Sequence, residues 1–196
     1  MKELSLYKIR DMAINSELSV YSVQEISNLI NKNKNIARVY MNRLVQKGLA
    51  TRLVNGKISF INDDFIIASQ LISPSYISIN SALLYHKMTY QVPQYIECVN
   101  TRNSLNYYKL GIIYHKIKPE LFFGYKRYNK NGSFIFVANP DKAIFDGLYF
   151  SIFSKFDVND FKKEIDFSEL ITRLKKLKIK KIEKIVEMLK WLGKMI

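Results

Sequence analysis

The stretch that decides the fold is NIARVYMNRLVQKGLATRLVNGKISF, residues 35–60. At about 100° per residue, its first half forms a helix with two distinct faces. The apolar face consists of Ala37, Tyr40, Met41 and Leu44. The opposite face consists of Asn35, Val39, Asn42 and Gln46, with Arg38 and Arg43 on its flanks. Gly48 is a typical helix stop. We therefore predict an amphipathic helix that begins near Asn35 and ends at Gly48.

The second half of this stretch predicts a β-hairpin. The segments LATRLV (49–54) and KISFI (57–61) have the composition of short strands, and Asn55-Gly56 separates them. An Asn-Gly pair is the strongest short signal for a two-residue type I′ turn, because both central residues of that turn have positive φ.

Two further helices precede residue 35. Residues 2–14 have near-helical apolar spacing. Ser22 followed by Glu25 has the spacing of a capping box, which predicts a short helix starting near Ser22. The polar segment NKNKN (31–35) then separates it from the next helix. The order helix, helix, turn, helix, hairpin is typical of a winged helix-turn-helix, and we predict such a DNA-binding domain over residues 1–70.

The charge of the chain favours a polyanionic partner. The net charge is +14, and residues 31–60 hold seven basic side chains and no acidic one. Asn, Gln and Arg are the side chains that pair with base edges, so the predicted base-reading residues are Asn35, Arg38, Asn42 and Gln46. The predicted phosphate contacts are Lys34, Arg43, Lys47, Arg52 and Lys57. The alternative is that the winged helix serves only as a protein-interaction module.

The rest of the chain predicts a second domain over residues 74–196, with a boundary between residues 65 and 75. Strands are predicted at YIECVNT, GIIYHKI, LFFGYKRY and SFIFVA. Asn139-Pro140-Asp141 predicts a helix start, with Asn139 as the cap and Asp141 near the positive helix end. Ser78 or Asn80 is a possible cap for a shorter helix. Lys-rich amphipathic helices close the chain. The predicted fold class is α+β: a winged helix-turn-helix followed by a mixed α/β domain.

The sequence gives little support for metal or nucleophile chemistry. The histidines, His86 and His115, are far apart, and Cys98 has no second cysteine near it, so we expect no metal and no cofactor. Asp141 and Asp146 could suggest part of a nuclease metal site. Asp146 is followed by Gly-Leu rather than by the acid-x-Lys pattern of such sites, and a helix start explains Asp141 better. We expect a protein that is not an enzyme.

The N-terminal segment has charges every few residues, which is unlike a secretory signal. No apolar run approaches the roughly 18 residues that a membrane span needs. A single cysteine fits a reducing compartment. The expected localisation is cytoplasmic, with no membrane partner.

Several short motifs beyond the hairpin resemble the AbiEi family of abortive-infection antitoxins, which act as transcriptional regulators. The matching segments are Tyr76–Ser78, Ser81–Leu83, Tyr85–His86, Thr101–Arg102, Phe122–Gly124 and Ala138–Asp146. Lys87 and Met88 depart from the usual Gly-Leu, and Asp141 replaces the usual Glu. The motif side chains whose role the resemblance leaves open are Tyr76, Ser78, Ser81, Arg102, Lys142 and Asp146.

The resemblance implies an antitoxin of a type IV toxin–antitoxin system. Such a protein represses its own operon at inverted repeats, and a homodimer on DNA is possible. It also counters a nucleotidyltransferase-like toxin that it need not touch. The alternative function is an RNA-processing or nucleotide-handling enzyme that the winged helix delivers to its substrate.

Overall fold

The structure, a computed structural model, describes residues 4–159, 161, 165–177 and 180–193. The fold is of the mixed α+β class, as predicted. The chain divides into two units. One comprises the residues up to Ser75 together with Arg127–Ile135, and the other comprises Tyr76–Lys126 and the chain from Phe136 onward. The sequence prediction did not anticipate that residues 127–135 belong to the first unit.

The first unit begins with α1 (Leu6–Ile14), α2 (Val23–Ile30) and α3 (Lys34–Gln46). The prediction for the first helix was too long, because Ser5 caps α1 by accepting a hydrogen bond from the amide of Lys8; residues 1–3 of that prediction lie outside the described part. The core shared by these helices includes Ile9, Ile26, Ile30, Met41 and Leu44. Burial of such side chains, about 1.5–3 kcal/mol each, is what stabilises this unit.

Local sequence signals fix the ends of α2 and α3. The capping box is confirmed: the Ser22 hydroxyl accepts from the amide of Glu25, and the Glu25 carboxylate accepts from the amide of Ser22. Asn33 caps α3 by accepting from the amide of Ile36 at 3.0 Å. Gly48 follows α3 with φ of 66°, a conformation that favours glycine. The predicted stop at Gly48 is therefore confirmed.

Within the described residues, a three-stranded antiparallel sheet completes this unit. It consists of β1 (Val20–Ser22), β2 (Thr51–Val54) and β3 (Lys57–Ser59), in the order β1-β3-β2. The predicted hairpin is confirmed, but the predicted type I′ turn is wrong. Gly56 has positive φ whereas Asn55 does not, and the β2–β3 register shifts between Arg52 and Val54. A bulge increases the local right-handed twist of a hairpin. A type I′ turn is favoured because it matches that twist, so the bulge explains how a different turn can join these strands.

The region that was predicted to be a boundary contains a helix, α4 (Asp64–Leu71). Its residues from Ile66 to Leu71 are buried, so the run FIIASQL has no amphipathic period by which sequence analysis could recognise it. Gln70 in α4 binds residue Ser133: its Nε2 donates to the Ser133 hydroxyl at 2.9 Å. The Gln70 Oε1 accepts from the amide of Ser19 at 2.8 Å. These buried hydrogen bonds explain why residues 127–135 belong to the first unit.

From residue 75 onward the chain contributes strands to a mixed sheet. The elements from residue 75 onward are β4 (Ser75–Ile77), α5 (Ile79–Tyr85), β5 (Ile96–Asn100), β6 (Leu105–Tyr107), β7 (Ile112–Lys116), β8 (Tyr125–Lys130), β9 (Ser133–Ala138), α6 (Pro140–Tyr149), α7 (Lys155–Asn159), α8 (Ser168–Lys175) and α9 (Lys180–Gly193). In the described part of the chain the sheet order is β6-β7-β5-β4-β9-β8. The β4–β9 and β5–β7 pairs are parallel, and the β6–β7 pair is antiparallel.

Beyond residue 75 the predicted strands are confirmed as β5, β7, β8 and β9, and the two predicted N-cap positions are confirmed without their side-chain hydrogen bonds. Asn139 and Ser78 stand at the N-cap positions of α6 and α5, yet neither side chain makes a capping hydrogen bond. The Ser78 hydroxyl instead donates to Asp146. Pro140 and Asp141 occupy the first turn of α6 as predicted.

The helices among the described residues bear on membrane insertion. None there combines the length and the apolar character that crossing a bilayer requires.

Gly147 in α6 leads to a testable prediction. A Cβ at this position would lie 2.0 Å from Cδ2 of Phe153, because the chain after α6 folds back and the amide of Phe153 donates to the carbonyl of Gly147. Gly→Ala in a helix interior normally stabilises by about 1 kcal/mol. We expect Gly147→Ala to do the opposite and to lower the free energy of unfolding by about 1–3 kcal/mol, measured by urea denaturation.

The companion variant Gly147→Ala/Phe153→Ala removes the ring that the new methyl group would meet. It should be no less stable than Phe153→Ala alone. A stabilising effect of Gly147→Ala in the wild-type background would show that Phe153 does not pack on this helix.

Candidate functional site

The outward face of α3 carries the predicted base-reading side chains. Asn35, Arg38, Asn42 and Gln46 are all exposed. On the opposite face, Ala37, Met41 and Leu44 are at most 1% exposed, and Tyr40 is half-buried. The faces predicted by the helical wheel are therefore confirmed, and the core contacts of α3 hold its polar face toward solvent.

Two arginines donate hydrogen bonds to the asparagines of this face. Nη1 of Arg38 donates to Oδ1 of Asn35 at 3.0 Å, one helical turn away. Nη2 of Arg52, on strand β2, donates to Oδ1 of Asn42 at 2.7 Å. The second bond joins the hairpin to the helix. Sequence reasoning identified all four residues but not their pairing, since Arg52 reaches Asn42 only after the chain has turned from α3 into β2.

The predicted phosphate contacts fall into two groups. Lys34, Arg43, Lys47 and Arg52 are exposed, and the guanidinium carbon of Arg43 lies 6.0 Å from the ring centroid of Tyr40. Lys57 is different: its side chain is half-buried, and its ammonium group donates to the carbonyl of Leu71. Because this ammonium already donates to a carbonyl of its own unit, the four exposed side chains are better placed than Lys57 to contact phosphate.

The two acidic residues that flank this basic segment in the sequence both accept hydrogen bonds. No acidic residue stands between Glu25 and Asp63 in the sequence. Glu25 belongs to the capping box, and its carboxylate accepts the amide of Ser22 at 2.6 Å. Burial alone would raise the pKa of Asp63, but hydrogen bonds from Lys130, the amide of Ile66 and Asn131 lower it overall. The hydrogen-bond partners of both carboxylates lie outside α3 and β2.

A second polar cluster lies inside the other unit. Lys142 and Asp146 are both 0% exposed and form an ion pair one turn apart on α6. The carboxylate of Asp146 also accepts from the hydroxyl groups of Tyr76 at 3.0 Å and Ser78 at 2.7 Å. The ammonium of Lys142 donates to the hydroxyl oxygen of Tyr76 at 2.9 Å. Four of the motif side chains with no assigned role thus form one closed hydrogen-bonded network.

Aromatic rings and a glycine enclose this network. Tyr76 stacks on Tyr125 with centroids 4.6 Å apart, and Nζ of Lys142 lies 5.0 Å from the ring centroid of Phe145. Gly124 has φ of 75°, and a Cβ there would lie 3.0 Å from Cγ of Lys142, so the Phe-x-Gly motif makes room for the lysine stem.

Burial shifts the pKa values of two groups in the network. It raises the pKa of Tyr76 well above its usual value, and the neighbouring Asp146 adds to that shift. Burial lowers the pKa of Lys142, whereas the Asp146 carboxylate opposes the shift. In the network, the ion pair lies beside the Tyr76 hydroxyl, and each carboxylate oxygen of Asp146 accepts from at least one donor of this chain. These bonds join α6 to β4. They leave neither oxygen of the Asp146 carboxylate without a donor, so the carboxylate is not presented to a metal or a substrate.

The remaining motif residues lie apart from this network. Ser81 accepts the amide of Glu97 at 2.9 Å and donates to the carbonyl of Tyr95, so it fixes α5 to the start of β5. Arg102 is exposed, and its amide donates to Asn100 Oδ1 at 2.7 Å in the turn after β5. Sequence reasoning grouped these residues by motif alone.

The other reactive side chains have ordinary structural surroundings. Burial raises the pKa of the Cys98 thiol and lowers the pKa of His115. Nε2 of His86 lies 2.9 Å from the carbonyl of Ala138. Nε2 of His115 has no hydrogen-bond partner among the described residues, and the ring stacks on Phe150. Across the described residues, no group of three or more His, Cys, Asp or Glu side chains is arranged to hold a metal ion.

Comparison with known proteins gives no family assignment. No protein-family model matches this chain, and no curated protein matches it with significance. The function is therefore inferred from the residues and their geometry.

Proposed function

We propose that this protein is a sequence-specific, double-stranded DNA-binding transcriptional repressor. In this proposal the first unit is a winged helix-turn-helix in which α2 and α3 form the helix-turn-helix motif and the β2–β3 hairpin is the wing. Helix α3 enters the major groove, which is wide enough to admit an α-helix. A protein that binds inverted repeats in this way acts as a homodimer.

One observation carries the proposal: the exposed face of α3. It holds Asn and Gln side chains, which pair with adenine edges, between flanking arginines and lysines that suit phosphates. The core contacts of Ala37, Met41 and Leu44 fix the direction of this face. No acidic residue stands between Glu25 and Asp63 in the sequence, so every charged side chain of the segment that contains this face is basic.

The biological role that we propose is that of an antitoxin. The protein represses its own operon and counters a nucleotidyltransferase-like toxin, as the antitoxins of type IV abortive-infection systems do, without a requirement for direct contact. This part depends on the motif resemblance around Tyr76, Ser78, Lys142 and Asp146. The joining of those residues into one network supports a shared structural role for the motif in the second unit.

The alternative function, an RNA-processing or nucleotide-handling enzyme, gains no support from a particular contact. It would need Asp141 or Asp146 to face a metal or a substrate. Asp146 is enclosed and its oxygens are occupied, while Asp141 is half-buried at the start of α6, where burial raises its pKa.

The salt dependence of DNA binding tests the proposal. With Lys34, Arg43, Lys47 and Arg52 on phosphates, about four counterions are released, so log K should fall with log salt at a slope near −3.6. Fluorescence anisotropy of the full chain on a duplex from the region upstream of its own gene measures this slope between roughly 50 and 200 mM salt.

Two single variants serve as matched controls. Lys47→Ala should reduce the magnitude of the slope by about one, because it removes one phosphate contact. Lys57→Ala should leave the slope unchanged, because its ammonium group binds the Leu71 carbonyl. Binding that does not depend on salt would refute the proposed interface.

A further inference from the structure

Helix α3 exposes two apolar side chains among its polar ones. Val39 is 48% exposed and Ile36 is 39% exposed. Neither belongs to the core of the first unit, which uses the opposite face of α3. Val39 lies in the middle of the base-reading face, whereas Ile36 lies toward its edge.

The position of Val39 follows from the helical period. Asn35, Val39, Asn42 and Gln46 are spaced by four, three and four residues, so they lie within an arc of about 60° and form a straight stripe. From the first to the last residue the stripe is about 16 Å long, which is about five base-pair steps. Ile36 lies about 60° from Val39 on the same helix.

The side chains of this stripe share one chemical preference. Asn and Gln pair bidentately with N6 and N7 of adenine, and apolar groups contact the C5-methyl group of thymine. These are the two bases of one pair. Arginine, the usual reader of guanine, does not lie on the stripe: Arg38 is on its flank, and Arg52 reaches it from β2.

Hydrogen bonds from two arginines hold the asparagine amide groups of the stripe in place. Each donates to one asparagine Oδ1, Arg38 to Asn35 and Arg52 to Asn42. An amide oxygen has two lone pairs and an amide nitrogen has two N–H groups, so each asparagine can still form the bidentate pair with adenine. The bonds fix the orientation of the amide groups before DNA binds and so reduce the ordering cost of binding.

We propose that the α3 stripe reads A·T base pairs, with Asn35, Asn42 and Gln46 on adenine edges and Val39 against a thymine methyl group. The inference rests on the proposed DNA-binding function and adds the base composition of the operator core to it. It makes Val39 a specificity-determining residue, and it makes Arg38 and Arg52 positioning residues for the asparagines.

The test uses the full chain and a library of randomised DNA duplexes. Selection by binding should enrich sites with a run of A·T pairs in each half-site. Each thymine of an enriched site is then replaced by deoxyuridine, which lacks the C5-methyl group. One such replacement should weaken wild-type binding by about three- to fivefold, the value of one buried methyl group.

The variant Val39→Ala should lose this discrimination, so that thymine and uracil duplexes bind it equally well. The matched control Ile36→Ala removes the other exposed apolar side chain of α3 and should keep the wild-type ratio. Sites without A·T enrichment, or a wild-type thymine-to-uracil ratio in Val39→Ala, would overturn the inference while leaving DNA binding in place. Failure to enrich any sequence would overturn the proposed function together with it.

Discussion

Replacing Asp146 with alanine is expected to lower the free energy of unfolding by about 3–5 kcal/mol. The substitution leaves the ammonium group of Lys142 without its counterion at a position that is 0% exposed. It also leaves the hydroxyl groups of Tyr76 and Ser78 without their acceptor. Urea denaturation of the purified chain measures the loss.

Two further variants separate the ion pair from other effects of the substitution. Asp141→Ala removes a carboxylate from the first turn of the same helix, where the favourable helix end is opposed by the burial that raises the pKa of this carboxyl. It should change the free energy of unfolding by less than about 1 kcal/mol. Lys142→Met/Asp146→Leu removes both charges and should be more stable than Asp146→Ala, because an unpaired buried charge costs more than an absent pair. A loss below about 1 kcal/mol in Asp146→Ala would contradict the enclosed network.

Charge reversal at Arg38 and Arg52 is expected to abolish specific DNA binding. The pair Arg38→Glu/Arg52→Glu removes the two donors to Asn35 and Asn42 and places two carboxylates next to the phosphates. We expect the affinity for the upstream duplex to fall by at least about 100-fold, since single contacts of this kind contribute about 1–3 kcal/mol each. Anisotropy measures the affinity, and a reporter gene under the same promoter should become derepressed.

The matched control reverses two exposed lysines of the other unit, Lys116→Glu/Lys118→Glu. Both double variants lower the net charge of +14 by four, so a difference between them reports position rather than total charge. Only the arginine pair should lose repression. If the antitoxin proposal holds, cells that express the toxin should still be protected by the arginine variant, because toxin neutralisation belongs to the second unit. Wild-type affinity in that variant would support a protein-interaction role for α3.

The sequence was most informative where side chains a few residues apart act together. The capping box at Ser22, the stop at Gly48 and the two faces of α3 follow from local spacing, and all three are confirmed. Local spacing could not predict a helix whose sequence has no amphipathic period. The helix that contains Gln70 is buried almost throughout and therefore has no polar face to mark it.

Contacts between distant segments were beyond sequence reasoning. Tyr76 and Asp146 are 70 positions apart, and Gln70 and Ser133 are 63 apart, so nothing in the local pattern pairs them. The motif resemblance was the one signal that grouped Tyr76, Lys142 and Asp146, and it gave no reason for the grouping. Their burial gives that reason, because a buried lysine or aspartate without a partner of opposite charge is costly in free energy.

The same limit applies to the α3 face. Its exposed residues could be predicted from the wheel, but the bond from Arg52 to Asn42 depends on how the hairpin returns toward the helix. The register shift between Arg52 and Val54, which could not be predicted from the sequence, begins at Arg52 within β2. The site therefore needed the fold before the role of Arg52 could be inferred.

The central claim is that α3 binds DNA in a sequence-specific way, and a footprint of the full chain on the region upstream of its own gene tests it most directly. The account predicts two protected half-sites arranged as an inverted repeat, centred about one helical turn or a multiple of it apart, with A·T pairs at their cores. Protection should be absent with Arg38→Glu/Arg52→Glu and present with Lys116→Glu/Lys118→Glu. The claim would be contradicted if no half-site were protected before the protein concentration is high enough to cover the whole duplex non-specifically.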